Sequence, residues 1–574
     1  TRYGVTAELT ATSRVGMHRY TFPEGSEPGI VINLMNGGCW DRPMDTYVEV
    51  VDPQTGLPSE EGTALRGYRF SRGWASDQKI YFYAEFSKPF ESVDILKGDI
   101  QIWENEYKNM SAFAHVHFKT KKNEQVLMKV ALSSVSMEGA YNNMKADLPG
   151  WSFDKTAARA DELWNHELGR IKVDTQDETA RKIFYTALYH TMIAPSEFSD
   201  FGGEHRYTTF SLWDTYRNLH QLLTLVYPER QRDMVRSMVS MYREWGWMPK
   251  WELFGRETFT MEGDPAIAVI TDTWLKGLRD FDIETAYEAF VKSATTPGAD
   301  NLMRPDIDPY LAEGYVPLGL YSADASGDNS VSHALEYYIA DYALSLLAED
   351  LGHTEDAARF RAQSLQYKHY YCPEFGTLRP LNADGTFLKP FNPRQGENFE
   401  PVPGFHEGSA WNYTFYVPHD VIGLAKLMGG RKAFVAKLQK VFDEGLYDPA
   451  NEPDIAYPYL FSYFKGEEWR TAQIVSQLLD RHYTTEAAGL PGNDDTGTMS
   501  AWAVFSMMGF YPDCPGDPSY TLTTPRFDRI EITLDPRFCD GRDRLVITKG
   551  RHMKGRISHA DLVSGSKTLQ RASF

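Results

Sequence analysis

Two adjacent aspartates, Asp494 and Asp495, stand between glycines in "GLPGNDDTGTMSAW" (residues 489–502). Neighbouring carboxylates repel, and flanking glycines loosen the backbone that must hold them. Such a turn has two uses. Its Asn and Asp side chains can cap the helix that follows, or the carboxylates can serve a metal or a proton transfer.

Four more segments carry the same mixture of carboxylates and aromatics. "FSLWDTYRNLH" (210–220) offers Trp213, a flat face for a sugar, with Asp214, Arg217 and His220. Asp214 serves equally well as the cap of a helix. In "FTMEGDPAIAV" (259–269), Glu262 and Asp264 flank Gly263 at a helix start, where capping is the simpler use. "FHEGSAWNYTFYVPHD" (405–420) sets Glu407 beside His406 and ahead of Trp411, Tyr413 and Tyr416, and ends on His419 and Asp420. A carboxyl among aromatic neighbours gains proton affinity, which suits a general acid. "YDPANEPDIAYPYLF" (447–461) brings Asn451, Glu452 and Asp454 together, oxygen ligands of the kind a hard cation takes. The recurrence of such segments between helices says more than any one of them.

The elements that must hold these segments change character along the 574 residues, enough chain for two to four domains. "KIYFYAEF", "SAFAHVHF" and "QVLMKVAL" predict strands of a β-sandwich over residues 1–145. A helical linker follows over 146–177, centred on "DKTAARADELWNHELGRI". From 178 to 514 the apolar period is helical, with about twelve helices and the polar motifs falling between them. Strands return in "YTLTTP", "RIEITL" and "DRLVITK", a small C-terminal β region over 515–574. A net charge of −20 excludes a general nucleic-acid binder. No run of about 18 apolar residues marks a membrane span. Cys39, Cys372, Cys514 and Cys539 are scattered without zinc spacing or a disulfide framework. Aromatics make up 14%, consistent with sugar stacking and with large cores alike.

"SLWDTYR", "EGSAWNYTFYVPHDV", "NEPDIAYPYLF" and "GLPGNDDTGTMSAWAVFSMMGFYP" resemble, in that order, the landmarks of glycoside hydrolase family 92, and "ELTATSRVGMHRYTFP" resembles its N-terminal sandwich. The resemblance implies a multidomain α+β chain: β-sandwich, linker helix, (α/α)6 barrel and C-terminal β region. It implies a calcium-dependent, exo-acting α-mannosidase that inverts configuration, acting on mannan or N-glycans outside the cytoplasm, in the periplasm or secreted. Glu407 matches the general acid and Asp495 the base that activates water, with Asp494 as the second candidate. Inversion places acid and base about 6.5–9.5 Å apart. Glu452 and Asn451, with Asp495, match the calcium region, and the partner is a mannose-containing oligosaccharide or glycoprotein glycan. Trp213 and Asp214 match residues that hold the terminal sugar, and Arg217, Trp411, His419 and Asp420 in the same motifs are further substrate-binding candidates.

Three departures qualify the match. Thr1 falls inside the sandwich, so a preceding segment that walls the family's site is expected to be missing. Pro449 and Ala450 stand where α-1,2-specific members carry a His-Glu pair, and the C-terminal strands stop early, at Phe574. A glycan-binding protein without turnover, or an (α/α)-barrel glucosidase or phosphorylase, are the competing readings.

Overall fold

The computed structural model describes residues 3–24, 27–37, 41–103, 106–320, 328–396, 400, 402–550 and 555–570; Cys39 lies outside them. The chain divides into two compact units. One comprises residues 1–167, 196–208 and 252–258; the other holds 168–195, 209–251 and 259–574.

The first unit is built on period-two alternation. Six antiparallel strands, in the order Thr6–Ala11, Val15–Thr21, Gln125–Ser133, Gln78–Phe86, Ala64–Arg72 and Arg42–Val51, form one sheet. Gly29–Asn33, Glu106–His117 and Ser92–Trp103 form a second. Inward residues from both sheets, among them Ile30, Val48, Leu65, Phe82, Ala114, Val116, Val126 and Met128, close one dry core. The other face of the larger sheet is covered by helix Met137–Asp147, whose Ala140 and Met144 pack on Met17, Tyr83 and Ala131. This helix starts inside the stretch read as sandwich. Ser136 stops the chain from running on as a strand by accepting the Gly139 N–H.

The expected linker is helical over Phe153–Leu168. Its end is not: Ile171–Asp174 is a strand paired antiparallel with Arg529–Thr533. Arg544–Gly550 and Lys567–Gln570 complete that sheet, so the C-terminal strands belong to the same compact unit as the helices.

In the second unit the helices alternate with the polar segments. Glu178–His190, Pro228–Trp245, Ile283–Thr295 and Glu468–His482 bury one stripe each, as their spacing predicts. Ser330–Asp350 and Thr498–Met508 are buried on every side. The short helix Ile307–Glu313 was not legible, because seven residues interrupted by a proline carry too little period. Among the described residues no helix is long and apolar enough to cross a membrane.

Candidate active site

The turn at 489–497 separates its two aspartates by backbone geometry. Asp494 serves the helix: its carbonyl accepts the N–H groups of Gly497 and Met499, and its carboxylate accepts that of Ser500 at 2.9 Å. Asn493, the other capping candidate, is exposed. Asp495 then enters the left-handed region at φ 44°, followed by Thr496 at 51° and Gly497 at 92°. This run turns the Asp495 carboxylate away from the helix it precedes. The glycines answer for close approach. A Cβ on Gly492 would lie 2.9 Å from the Ala450 Cβ, and one on Gly497 would lie 3.0 Å from the Thr191 Cα. Packing Gly492 on Ala450 brings the turn against the segment that carries Asn451 and Glu452.

Glu452 opens a 3-10 turn, Glu452–Asp454, and is buried. One oxygen of the Asp454 carboxylate, Oδ2, accepts from the Asn412 side chain at 2.8 Å and the Asp448 N–H at 3.0 Å. Asn451 donates to the backbone carbonyl of Glu407 at 2.8 Å, tying the two segments together. Glu407 itself has φ 49°, and directly after it Ser409 and Asn412 form a reciprocal capping box on helix Ala410–Thr414. Asp214 lies within the short helix Leu212–Thr215 and accepts the Ser211 hydroxyl. Its carboxylate does not cap that helix.

Three segments distant in sequence thus deliver carboxylates to one place, and a fourth, carrying Glu407, lies within their field. Oxygens of Asp214, Glu452 and Asp495 all lie within 4.8 Å of one another. Burial raises the proton affinity of all three. Asp214 and Glu452 are pushed further by each other's neighbourhood: Asp495 and Glu407 act on Asp214, and Asp214 and Asp495 act on Glu452. Glu407 is raised by burial first, then by Glu262 and Asp495, while His406 pulls the other way. One Glu452 oxygen, Oε1, is buried without a hydrogen-bond partner among the described residues.

The nearby cation does not neutralise this group. Arg217 is buried with its guanidinium committed elsewhere: to Glu336 at 3.1 Å, to the Trp213 carbonyl at 3.0 Å and to the Tyr416 hydroxyl. It also lies over the rings of Trp213, Tyr216 and Tyr416. Arg217 acts on Asp214 and Glu452 through its field, lowering both.

A second buried line runs back from Glu407. His406 Nε2 is 3.9 Å from the Glu407 carboxylate, and its Nδ1 bonds Glu262. Glu262 is 4.0 Å from His333 Nε2, and His333 Nδ1 meets Asp306 at 2.7 Å.

The remaining sequence candidates have the following surroundings. The Trp213 ring is buried at 1% exposure, 6.5 Å from the His406 ring, with its Nε1 unpartnered. Trp411 lies under Lys440 Nζ at 5.1 Å. His419 donates to the Ser364 carbonyl at 2.8 Å, packs on Tyr342 and Tyr367, and is pushed down to about 4 by burial. Asp420 caps helix Val421–Leu427 and accepts the Tyr367 hydroxyl. Neither His419 nor Asp420 joins the carboxylate group. His220 is a buried partner of Gln231. Sequence reasoning passed over Glu336, Tyr216, His333 and Asp306, named Tyr416 only as an aromatic that follows Glu407, and gave Glu262 to capping. Glu336 and His333 lie on a helix that is buried nearly all round, which its sequence did not mark.

Residues 139–567 match the glycosyl hydrolase family 92 catalytic domain, and residues 1–133 match that family's N-terminal domain. The chain belongs to glycosyl hydrolase family 92. It is a glycoside hydrolase. Its β-rich N-terminal domain followed by a helical domain matches solved family 92 structures. An α-mannosidase of this family from Bacteroides thetaiotaomicron is 30% identical over 99% of this chain and 78% of its own, with a TM-score of 0.87. That enzyme has also been solved with mannoimidazole. A family 92 inverting mannosidase from the same species is 26% identical over 99% of this chain and 81% of its own, with a TM-score of 0.86. A secreted glycosidase of uncharacterised activity from Arthroderma benhamiae is 25% identical, covering 92% of this chain and 70% of that protein.

Proposed function

We propose that this family 92 protein is an exo-acting α-mannosidase that hydrolyses terminal α-linked mannose from mannan or N-glycans, with inversion and with calcium. The observation that carries this reading is the under-neutralised group of Asp214, Glu452 and Asp495, with Glu407 within its field. The names of the two Bacteroides relatives support mannose as the sugar, and that of the inverting mannosidase supports the stereochemistry. The helical unit is read as an (α/α)6 barrel with this group at its mouth. The secreted relative supports action outside the cytoplasm, in the periplasm or beyond the cell.

In this reading Glu407 enters protonated, because burial and neighbouring carboxylates favour the acid form. It gives its proton to the glycosidic oxygen as the C1–O bond breaks. Asp495 takes a proton from water, whose oxygen forms the new bond to C1 on the opposite face. Asp214 accepts hydrogen bonds from sugar hydroxyls, and Arg217 holds Trp213 and limits the repulsion among the carboxylates.

The residues present fit calcium. The donors are all oxygen, their charge is in excess, and Glu452 Oε1 is buried without a partner among the described residues, as a hard cation requires. Glu452, Asp214 and Asp495 would hold it, with Asn451 beside them. What calcium supplies when bound is ligation of sugar hydroxyls, which favours a flattened ring. Asp214 is an addition to the ligand set read from the sequence.

The test is release of mannose from linkage-defined α-mannosyl disaccharides, with and without EDTA, followed by NMR of the first-formed anomer. Mannose of inverted configuration, lost with chelator and restored by calcium, is expected. Turnover that survives both EDTA and Glu407→Gln overturns the reading, as does mannose binding without turnover at high enzyme concentration. The linkage that is cleaved fastest identifies the preference left open by Pro449 and Ala450.

A further inference from the structure

We propose that Glu262, acting through His406, is a positioning residue for the acid carboxyl of Glu407. This rests on the reading of Glu407 as the proton donor.

His406 is held by several contacts. Its N–H donates to the Ser332 hydroxyl at 2.9 Å, and its carbonyl accepts the Tyr413 hydroxyl at 2.5 Å. Its ring leans on Trp213, and its Nδ1 is bonded to Glu262. The remaining nitrogen, Nε2, faces Glu407 Oε1 at 3.9 Å. Consecutive side chains ordinarily diverge; here the left-handed backbone at Glu407 turns the two towards each other. Hydrogen bonds to catalytic groups are often long before substrate binds, and 3.9 Å closes with a small rotation.

Glu262 is an expensive residue for packing alone. It is 1% exposed, and its Oε2 has no hydrogen-bond partner among the described residues. A buried carboxylate costs several kcal/mol to desolvate unless its surroundings use the charge. Its surroundings do. His406 takes Oε1, and His333 Nε2 stands 4.0 Å from the same oxygen, fixed by Asp306, which Tyr337 in turn holds at 2.7 Å. Carboxylates and imidazoles alternate along this line. With Nδ1–H committed to Glu262, the tautomer and orientation of His406 are set, and Nε2 is the nitrogen on the side of Glu407. A residue in such a supporting role typically changes activity by about 10–100-fold when altered.

The test compares Glu262→Gln and His406→Asn with Glu407→Gln across aryl α-mannosides, from 2,4-dinitrophenyl, whose leaving group needs no proton, to methoxyphenyl and a mannosyl disaccharide. Glu262→Gln is expected to lower kcat about 10–100-fold on the poor leaving groups, leave the dinitrophenyl substrate nearly unchanged, and leave KM unchanged throughout. His406→Asn keeps the bond to Glu262 but lacks Nε2, and is expected to show the same leaving-group dependence. It carries the test if Glu262→Gln does not fold. An equal loss on every substrate, or no loss, overturns the proposal. If Glu407→Gln itself shows no leaving-group dependence, the reading of Glu407 falls and the proposal with it. If Glu407→Gln shows it and the other two do not, only the proposal falls.

Discussion

The helical unit buries two ionic groups that differ in one respect. In the first, Arg304 is fully buried between Asp341 at 2.8 Å and Asp264 at 3.5 Å, with Tyr310 donating to Asp341 and Ser293 to Asp264. Burial alone would discharge this guanidinium, but Asp341 and Asp264 raise its proton affinity instead. In the second, Asp214, Glu452 and Asp495 meet with no cation of their own, since Arg217 is spent on Glu336. Both groups cost desolvation. The first sets a guanidinium between two carboxylates of the chain, and the second, in the proposed reading, is balanced by calcium. A buried guanidinium between two carboxylates, a closed group, reads as architecture; a cluster of carboxylates without such a cation, an open group, is a site candidate.

Four substitutions would break or sharpen this contrast. Asp495→Asn removes the base from the open group and is expected to lower kcat by about 10²–10⁴-fold in a mannose-release assay, without lowering the melting temperature. Arg304→Met leaves two buried carboxylates unpaired in the closed group. It is expected to destabilise the fold by about 3–5 kcal/mol in urea titrations, while the folded fraction keeps its response to calcium. Glu452→Gln is expected to do the reverse, stabilising the metal-free protein and abolishing the rise in melting temperature that calcium produces. The pH dependence has a definite sign. Burial raises the proton affinity of Asp214 and Glu452, so the folded chain keeps protons that the unfolded chain has lost. Their contribution is therefore fully present below the unfolded carboxylate range and is lost as pH rises through the folded values. Melting curves without metal should show that loss in the wild type and less of it in Glu452→Gln. The smallest effect belongs to Asp494→Ala, which removes a helix-start acceptor: about 1 kcal/mol of stability in urea titrations, with far less loss of kcat than Asp495→Asn.

Much of this arrangement could be read from the sequence, and the exceptions are instructive. Helices with one buried stripe, such as Glu178–His190, announced themselves by period. Helix Ser330–Asp350 also read as a helix, but not as one buried all round, so nothing marked Glu336, His333 and Asp341 as buried polar residues. Asp494 and Asp495 were indistinguishable as letters. Only the hydrogen bond from Ser500 and the turn at φ 44° divide them. His419 and Asp420 follow an aromatic run that resembles a sugar site. The partners that claim them, Ser364 and Tyr367, lie more than 50 residues away, where no local pattern reaches.

Glu407 and Asp495 share one further property, a backbone in the left-handed region, which L-residues occupy at a cost of about 1–2 kcal/mol. Two residues that the family resemblance assigns to acid and base are thus also two places where the fold is under strain. Glycine at either position would relieve that strain and remove a carboxylate from the crowded interior in the same stroke. If the proposed roles hold, the glycine that makes the fold sturdier at either position also removes the acid or the base, so stability and turnover pull these two positions in opposite directions.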